Sequence, residues 1–479
     1  MPTLQTEVAI IGAGTAGMTA YRAAVNEGKQ ALLIESHVYR TTCSRVGCMP
    51  SKLLIAAAEA AHAVQSAPAF GVHPGPLRID GQQVMARVRS ERDRFVGFVV
   101  SDVDGFPAEH KLMGRAVFTG PNTLQVGDTT VQARAVVIAT GSTPRVAQAW
   151  QSGGDRVITS DAVFYWDDLP ESVAVVGTGV IGLELGQALH RLGVRVTLFA
   201  RGNSVAQISD PTLLDVAASA LGDELDIRFQ TSVADVQRDG DGVLVRSRDA
   251  AGNERSERFS YLLSAAGRTP NVQHLGLEHT GLALDHAGIP VYNPHTMQCG
   301  ASNIFIAGDA DDERPLLPEA ADQGRIAGRN AANFPDVQPG LRRTPLTIAF
   351  TEPQIATVGS TYKEICAAHD GTFAVGKVSF ENQGRSRVML QNKGMLRVYG
   401  EFGTGRFLGA EMIGPRAEHI GHLLAWAHQS GMTVAQMLDM PFYHPVVEEG
   451  LRTALRELNA QLQRPPSKAE DCLKAIPAA

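Results

Sequence analysis

Glu7-Val8-Ala9-Ile10-Ile11-Gly12-Ala13-Gly14-Thr15-Ala16-Gly17 is a short apolar run closed by three spaced glycines. Glu7 to Ile11 reads as a buried parallel strand, because such strands are covered on both faces and lack polar alternation. The glycines have separate tasks: a tight turn, a close approach of backbone to a pyrophosphate, and close packing of the helix that follows. That helix, running through Ala24, points its N-terminus at the ligand's negative charge. A second apolar strand, Ala31 to Glu35, ends on a carboxylate 23 residues beyond Gly12. The spacing is near the roughly 20 residues at which an acid meets ribose hydroxyls. A dinucleotide site is predicted, with Gly12, Gly14, Gly17 and Glu35 as its contacts.

The same unit recurs 165 residues later as Ser172 to Val176, Gly177-Thr178-Gly179-Val180-Ile181-Gly182, a helix through Leu192 and a strand Arg195 to Phe199. One such fingerprint matches many loops by accident; two in the same strand–turn–helix–strand context argue for two dinucleotide sites. Ile304-Phe305-Ile306-Ala307-Gly308-Asp309 is a short apolar strand placed to return to the first domain, with Asp309 beside a sugar or ribityl hydroxyl. Ala139-Thr140-Gly141-Ser142 and Ala266-Gly267-Arg268-Thr269-Pro270-Asn271 bracket the second unit as turns. From Pro345 the pattern turns to mixed strands and helices. The expected fold is α/β: two Rossmann-like dinucleotide-binding domains and a C-terminal α+β domain. The boundaries read 1–148, 149–272, 273–343 (a return to the first domain), 344–464, and a polar, proline-interrupted tail, 465–479, expected to be loose.

The 479 residues are 44% hydrophobic and 19% charged, with 48 glycines, a soluble α/β profile with many turns. A net charge of −7 offers no basic footprint, so nucleic acid is not an expected partner. The N-terminus lacks a basic n-region and no apolar stretch reaches membrane-span length, so a cytoplasmic location and no membrane partner are expected. Cys43, Cys48, Cys299, Cys366 and Cys472 are too few and scattered for a disulfide scaffold.

Two of them stand close. Thr42-Cys43-Ser44-Arg45-Val46-Gly47-Cys48-Met49-Pro50-Ser51-Lys52 begins just past Glu35, at the carboxyl edge of the first sheet. A zinc site would need four ligands, and no second pair exists. A helix N-terminus and the Lys52 charge both favour a reactive thiolate, so the pair reads as a redox dithiol. A thiol relay needs a base. Tyr443-His444-Pro445-Val446-Val447-Glu448-Glu449 offers His444, with Pro445 expected at the first position of a helix and Glu449 placed to orient the imidazole. Glu418-His419-Ile420-Gly421-His422 has histidines three apart, but no further ligands lie nearby in sequence; packing or an interface is expected there, and no metal.

Taken together, these motifs resemble the pyridine-nucleotide disulfide oxidoreductases with a Cys-x4-Cys centre, and among them most closely the dihydrolipoamide dehydrogenases. The likeness runs from Gly12 to Glu449 and includes Gly182-Leu183-Glu184, Gly267 to Asn271, Gly308-Asp309, Thr351-Glu352-Pro353 and His444-Pro445. It implies a flavoenzyme with FAD at the first site and NAD(P) at the second, a C-terminal dimerisation domain and an active homodimer. Cys48 would be the flavin-proximal sulfur and Cys43 the interchange thiol. Lys52 would lie by the flavin, paired with Glu184, and His444, oriented by Glu449, would serve the dithiol of the other subunit. Thr140, Gly141, Ser142, Asp309 and Gly267 would be further cofactor contacts. The sequence departs from the family pattern at Arg40 and Thr41, where two glycines are usual, and at Arg45, where asparagine is usual.

The second unit closes with Phe199-Ala200-Arg201, without the acid that holds the ribose in NAD-specific members. Arg201 could meet a 2′-phosphate, yet Gln207 stands where glutathione-reductase-like members carry a second arginine. The overall likeness favours NAD(H) over NADP(H). The implied activity is oxidation of protein-bound dihydrolipoyl groups, with a lipoyl-domain protein or a 2-oxo acid dehydrogenase complex as partner. The rivals are an NADPH-dependent reductase of a small disulfide, opposed by Val180, and a non-catalytic flavoprotein or scaffold subunit, suggested only by the departures. Mercuric reduction is disfavoured by His444 and by Cys472, which stands alone in the tail.

Overall fold

The computed structural model describes residues 2–469 and Cys472. The chain divides into two compact units: residues 1–50, 86–145 and 268–343, and residues 51–85, 146–267 and 344–479.

In the first unit, β1 (Thr3–Ile11), α1 (Thr15–Asn26) and β2 (Ala31–Glu35) form the predicted βαβ entry. β1 pairs in parallel with β2 on one side and with Thr129–Ile138 on the other. Val8, Ala9 and Ile10 have no exposed surface, which explains their unbroken apolar run. The Thr129–Ile138 strand changes partner along its length. Its first half pairs antiparallel with Thr123–Val126, and its last residues pair in parallel with Ile304–Ile306. The chain thus returns to the first sheet at the segment ending in Gly308-Asp309. The helix Leu317–Asn333 packs against α1. Two further helices matter here: α2 (Thr42–Val46) and α3 (Cys48–Ser66), the latter crossing from the first unit's residues into the second's.

The second unit holds two larger sheets. A parallel sheet runs in the order Asp226–Arg228, Arg195–Phe199, Ser172–Val176, Tyr261–Ser264, Val157–Thr159. We call Ser172–Val176 β3, Val180–Arg191 α4 and Arg195–Phe199 β4. An antiparallel sheet runs Leu346–Ala349, Gln354–Gly359, Phe407–Gly414, Met395–Gly400, Ala374–Ser379. It is covered by Ala417–Gln429 and by α5 (Glu449–Leu462), with Leu396, Val398, Ile420, Ala454 and Leu458 fully buried between them.

The tail corrects two expectations. Cys366 and Cys472 form a disulfide closing 106 residues, so Cys472 is not alone and these cysteines are paired despite their distance in sequence. The tail residues up to Ala469, and Cys472, are not loose. Ala469 N donates to Gly371 O at 2.7 Å, and both Ala469 and Cys472 pack on Tyr362, Phe373 and Tyr399. A buried aromatic cluster supplies the apolar surface that a polar-looking tail did not announce. The rest of 465–479 lies outside the described residues.

Candidate active site

Gly12 has φ +105°, and a Cβ there would stand 2.4 Å from Ala139 O; at Gly17 a Cβ would stand 1.8 Å from Gly12 O. Only glycine fits either position. Gly14 faces open space and precedes α1 with no side-chain cap, leaving the helix N-terminus for a ligand. Glu35 is already tied to this loop: Oε2 accepts Ala13 N at 2.9 Å and Oε1 accepts His37 N at 3.0 Å.

The turn after Ile138 and the return segment meet here. Ser142 Oγ donates to Asp309 Oδ2 at 2.7 Å, and Arg268 donates from Nε to Ser142 Oγ and from Nη2 to Ser142 O, each at 2.7 Å. Gly141 O accepts Asn271 N at 2.9 Å. Among the described residues, Thr140 Oγ1 is buried without a hydrogen-bond partner. The orphaned Thr140 hydroxyl, beside the Gly12 turn, fits the implied FAD, whose phosphates and hydroxyls would need such a partner. Sequence reading missed Arg268 as the residue fixing Ser142, and Asp311, which no motif marks. Burial pushes the Asp311 carboxyl up to about 6.

Thr41 Oγ1 accepts Ser44 N at 3.2 Å and so caps α2, giving one departure from the family pattern a local structural role. α2 carries Cys43, half-buried. Gly47 breaks the helix (φ −123°, ψ −118°), and α3 begins at Cys48, which is exposed. Cys48 thus opens a 19-residue helix, where the dipole favours a thiolate. Arg45 is half-buried on α2. Cys299, by contrast, is fully buried, and burial raises its thiol to about 12, which makes it inert.

In the second unit the glycine loop repeats. Gly177 has φ +113° and would place a Cβ 2.3 Å from Ala265 O; Gly182 would place one 2.0 Å from Gly177 O. Gly179 again faces open space and precedes α4 with no side-chain cap. Gly267, at φ +100°, turns the chain just after this sheet. Ala200 is buried, while Arg201 and Gln207 are exposed.

Lys52 Nζ donates to Glu184 Oε2 at 2.7 Å and stands 4.5 Å from the centre of the Phe350 ring. Glu184 is 4% exposed, and its other oxygen accepts Phe350 N at 2.9 Å. A buried carboxylate with two donors holds the ammonium in place on α3. Phe350 carried no signal in the sequence.

Both Glu449 oxygens lie 3.0 Å from His444 Nδ1. That contact, first among its causes, lowers the Glu449 carboxyl below its usual range. The histidine side chain is 80% exposed, leaving Nε2 open to a reactant. The helical context differs from expectation: α5 begins at Glu449, and Pro445 lies in the turns before it, after a cis peptide bond. Glu449 replaces proline as the helix's first residue, where a carboxylate meets the positive end of the dipole and accepts Val446 N at 3.3 Å. His419 and His422 lie on Ala417–Gln429; His422 Nδ1 contacts Glu418 O. Among the described residues no His, Cys, Asp or Glu group is arranged to hold a metal, and no helix is long and apolar enough to cross a membrane.

Residues 6–324 match the family model described as pyridine nucleotide-disulphide oxidoreductase, and 346–455 match that family's dimerisation domain. A mercuric reductase of Shigella flexneri is 31% identical over 95% of this chain and 81% of its own length. A dihydrolipoyl dehydrogenase of Thermus scotoductus is 30% identical over 95% and 98%. LpdA from Mycobacterium tuberculosis superposes with a TM-score of 0.81 at 26% identity, covering 95% of this chain and 99% of that one. The flavoprotein disulfide reductase RclA from Escherichia coli shares the fold at 22% identity (TM-score 0.79, 95% and 99% covered).

Proposed function

Because this chain belongs to the pyridine nucleotide-disulphide oxidoreductase family, a group of dimeric flavoenzymes using FAD and a pyridine nucleotide, we propose that it oxidises dihydrolipoyl groups and reduces NAD⁺. The observation that carries the reading is the dithiol itself: Cys43 half-buried on α2, Cys48 exposed at the start of α3, with the helix break at Gly47 between them. A substrate thiolate attacks the Cys43 sulfur of the oxidised pair and displaces Cys48 as a thiolate. The second substrate thiol, losing its proton to His444, attacks the mixed disulfide and frees Cys43. The substrate leaves as a cyclic disulfide, and its two electrons remain on the Cys43–Cys48 pair. Bound FAD supplies the relay that passes those electrons to the nicotinamide. Gly12, Gly14, Gly17, Glu35, Thr140, Gly141, Ser142 and Asp309 would hold the FAD, with Lys52, fixed by Glu184, beside its ring. Gly177, Gly179, Gly182, Arg201 and Gly267 would line the nucleotide site.

His444 serves the dithiol of a second copy of the chain, and Glu449 holds its Nδ1 so that Nε2 takes the proton. The support is the bidentate contact and the open ring. A lipoyl-domain protein, as part of a 2-oxo acid dehydrogenase complex, is the substrate carrier on this reading. A second reading, NADPH-driven reduction of a small disulfide, is favoured by Ala200 and the exposed Arg201 at the end of β4. Cys43→Ser decides whether the dithiol works. Flavin should stay bound and reducible while dihydrolipoamide turnover falls to background; full retained turnover would remove the dithiol from the reaction. His444→Gln should slow turnover about 10²–10⁴-fold, the range for a general acid–base.

A further inference from the structure

Residues 200–210 join β4 to the helix Pro211–Gly222 and lie against the second glycine loop. Thr178 Oγ1 donates to Ser204 O at 2.6 Å, and Thr178 O accepts Ala206 N at 2.8 Å. The segment carries Arg201, which lines the nucleotide site on the reading above, and the exposed Gln207. Its far end is held by the antiparallel sheet. Glu411, on Phe407–Gly414, has no exposed surface. Its Oε2 accepts Ser209 N at 2.8 Å and Asp210 N at 3.0 Å; its Oε1 accepts Ser209 Oγ at 2.6 Å and Tyr362 N at 2.7 Å.

Asp210, equally buried, is gripped from the same sheet by Arg397 Nη1 at 2.8 Å and Tyr399 OH at 3.0 Å. It also caps the helix, accepting Thr212 N at 3.0 Å and Leu213 N at 3.3 Å. A carboxylate is not what packing asks for at position 411: Gly409 and Ile413 share its strand face. Burying it raises its carboxyl, which the donors from Ser209, Tyr362 and Asp210 oppose. A charge kept in the core at that cost fixes one conformation of what it binds, here residues 209–210.

We propose that Glu411 is a positioning residue for the nicotinamide nucleotide: through Ser209 and Asp210, the C-terminal sheet sets the shape of segment 201–210. Nucleotide affinity and 2′ selectivity at the second glycine loop thereby depend on a strand outside the nucleotide-binding sheet. The inference rests on the reading that the Gly177 loop holds the nicotinamide nucleotide.

Calorimetric titration of the full-length, FAD-loaded protein with NAD⁺ and NADP⁺, beside steady-state kinetics and thermal melting, tests it. Glu411→Gln should weaken binding of the preferred nucleotide about tenfold and raise its KM to match, with kcat within twofold and flavin content unchanged. Ser209→Ala, which removes one donor and folds more safely, should move the same constants about threefold. Nucleotide affinities within error of the parent in a folded variant, even with a lowered Tm, would make Glu411 merely structural and overturn the proposal. A parent protein that binds neither nucleotide would instead remove the reading beneath it. If Glu411→Gln does not fold, Ser209→Ala decides alone.

Discussion

At Gly12 and at Gly177 a Cβ would meet a carbonyl oxygen of the neighbouring strand's end at 2.4 and 2.3 Å, and the next helix opens uncapped in both places. Downstream the two units part. Glu35 turns its carboxylate onto the first loop through Ala13 N, whereas the second unit has buried Ala200 at the matching strand end and fastens its loop through the Thr178 hydroxyl. The glycine loops are made of backbone, so they tolerate only glycine and repeat faithfully. The strand ends, the proposed ribose side, are made of side chains and local hydrogen bonds, which is where two copies of one unit can come to differ.

The most severe way to break the comparison is to fill a cradle. Gly12→Val adds strain of about 1–2 kcal/mol from the positive φ and a clash with backbone, so the protein should purify without flavin, measured by absorbance at 450 nm. Gly177→Val should keep its flavin and lose at least about 10²-fold in nucleotide-dependent turnover, the usual cost of misplacing a reactant by an ångström. Flavin loss from both variants alike would mean that the loops do not serve separate sites.

Asp311 sharpens the difference on the first unit's side. Its carboxyl, raised by burial to about 6 from an ordinary 3.8, binds a proton more tightly folded than unfolded. The stability this gives is fully present below about pH 4 and is lost as pH rises through 6, on the order of 3 kcal/mol. Denaturant titrations of the parent should show that slope and Asp311→Asn should lack it; identical slopes would exclude Asp311 as the source.

Smaller effects fall on the second unit. Ala200→Glu restores an acceptor for ribose hydroxyls, and a charged hydrogen bond contributes about 1.5–3 kcal/mol, so the NAD⁺ over NADP⁺ ratio of kcat/KM should rise about tenfold. Arg201→Ala should change kcat/KM for NAD⁺ by less than about twofold, since the side chain is exposed; a large drop with NADP⁺ would favour the reductase reading.

Much of this molecule was legible because its decisive contacts are made by backbone. Glycines at positive φ, buried β-branched runs and the Ile304–Ile306 return all leave marks at fixed spacing. Side-chain ties left none. Glu411 is a single acid in an apolar strand, Asp311 is one of four acids between Asp309 and Glu313 with nothing to single it out, and Phe350 reads as ordinary core. The Cys366–Cys472 bond closes 106 residues, a distance over which no sequence period can operate. Pro445 misled for a physical reason, since proline is favoured at a first helical position, yet here α5 begins only at Glu449, with its carboxylate on the helix dipole and on His444.

Steady-state turnover of the FAD-loaded protein with dihydrolipoamide, NAD⁺ and NADP⁺ side by side, tests the central claim most directly. Rapid reduction of NAD⁺ is the predicted result. Turnover with NADP⁺ alone, or none with dihydrolipoamide, would contradict it and make this an NADPH-driven reductase of another substrate.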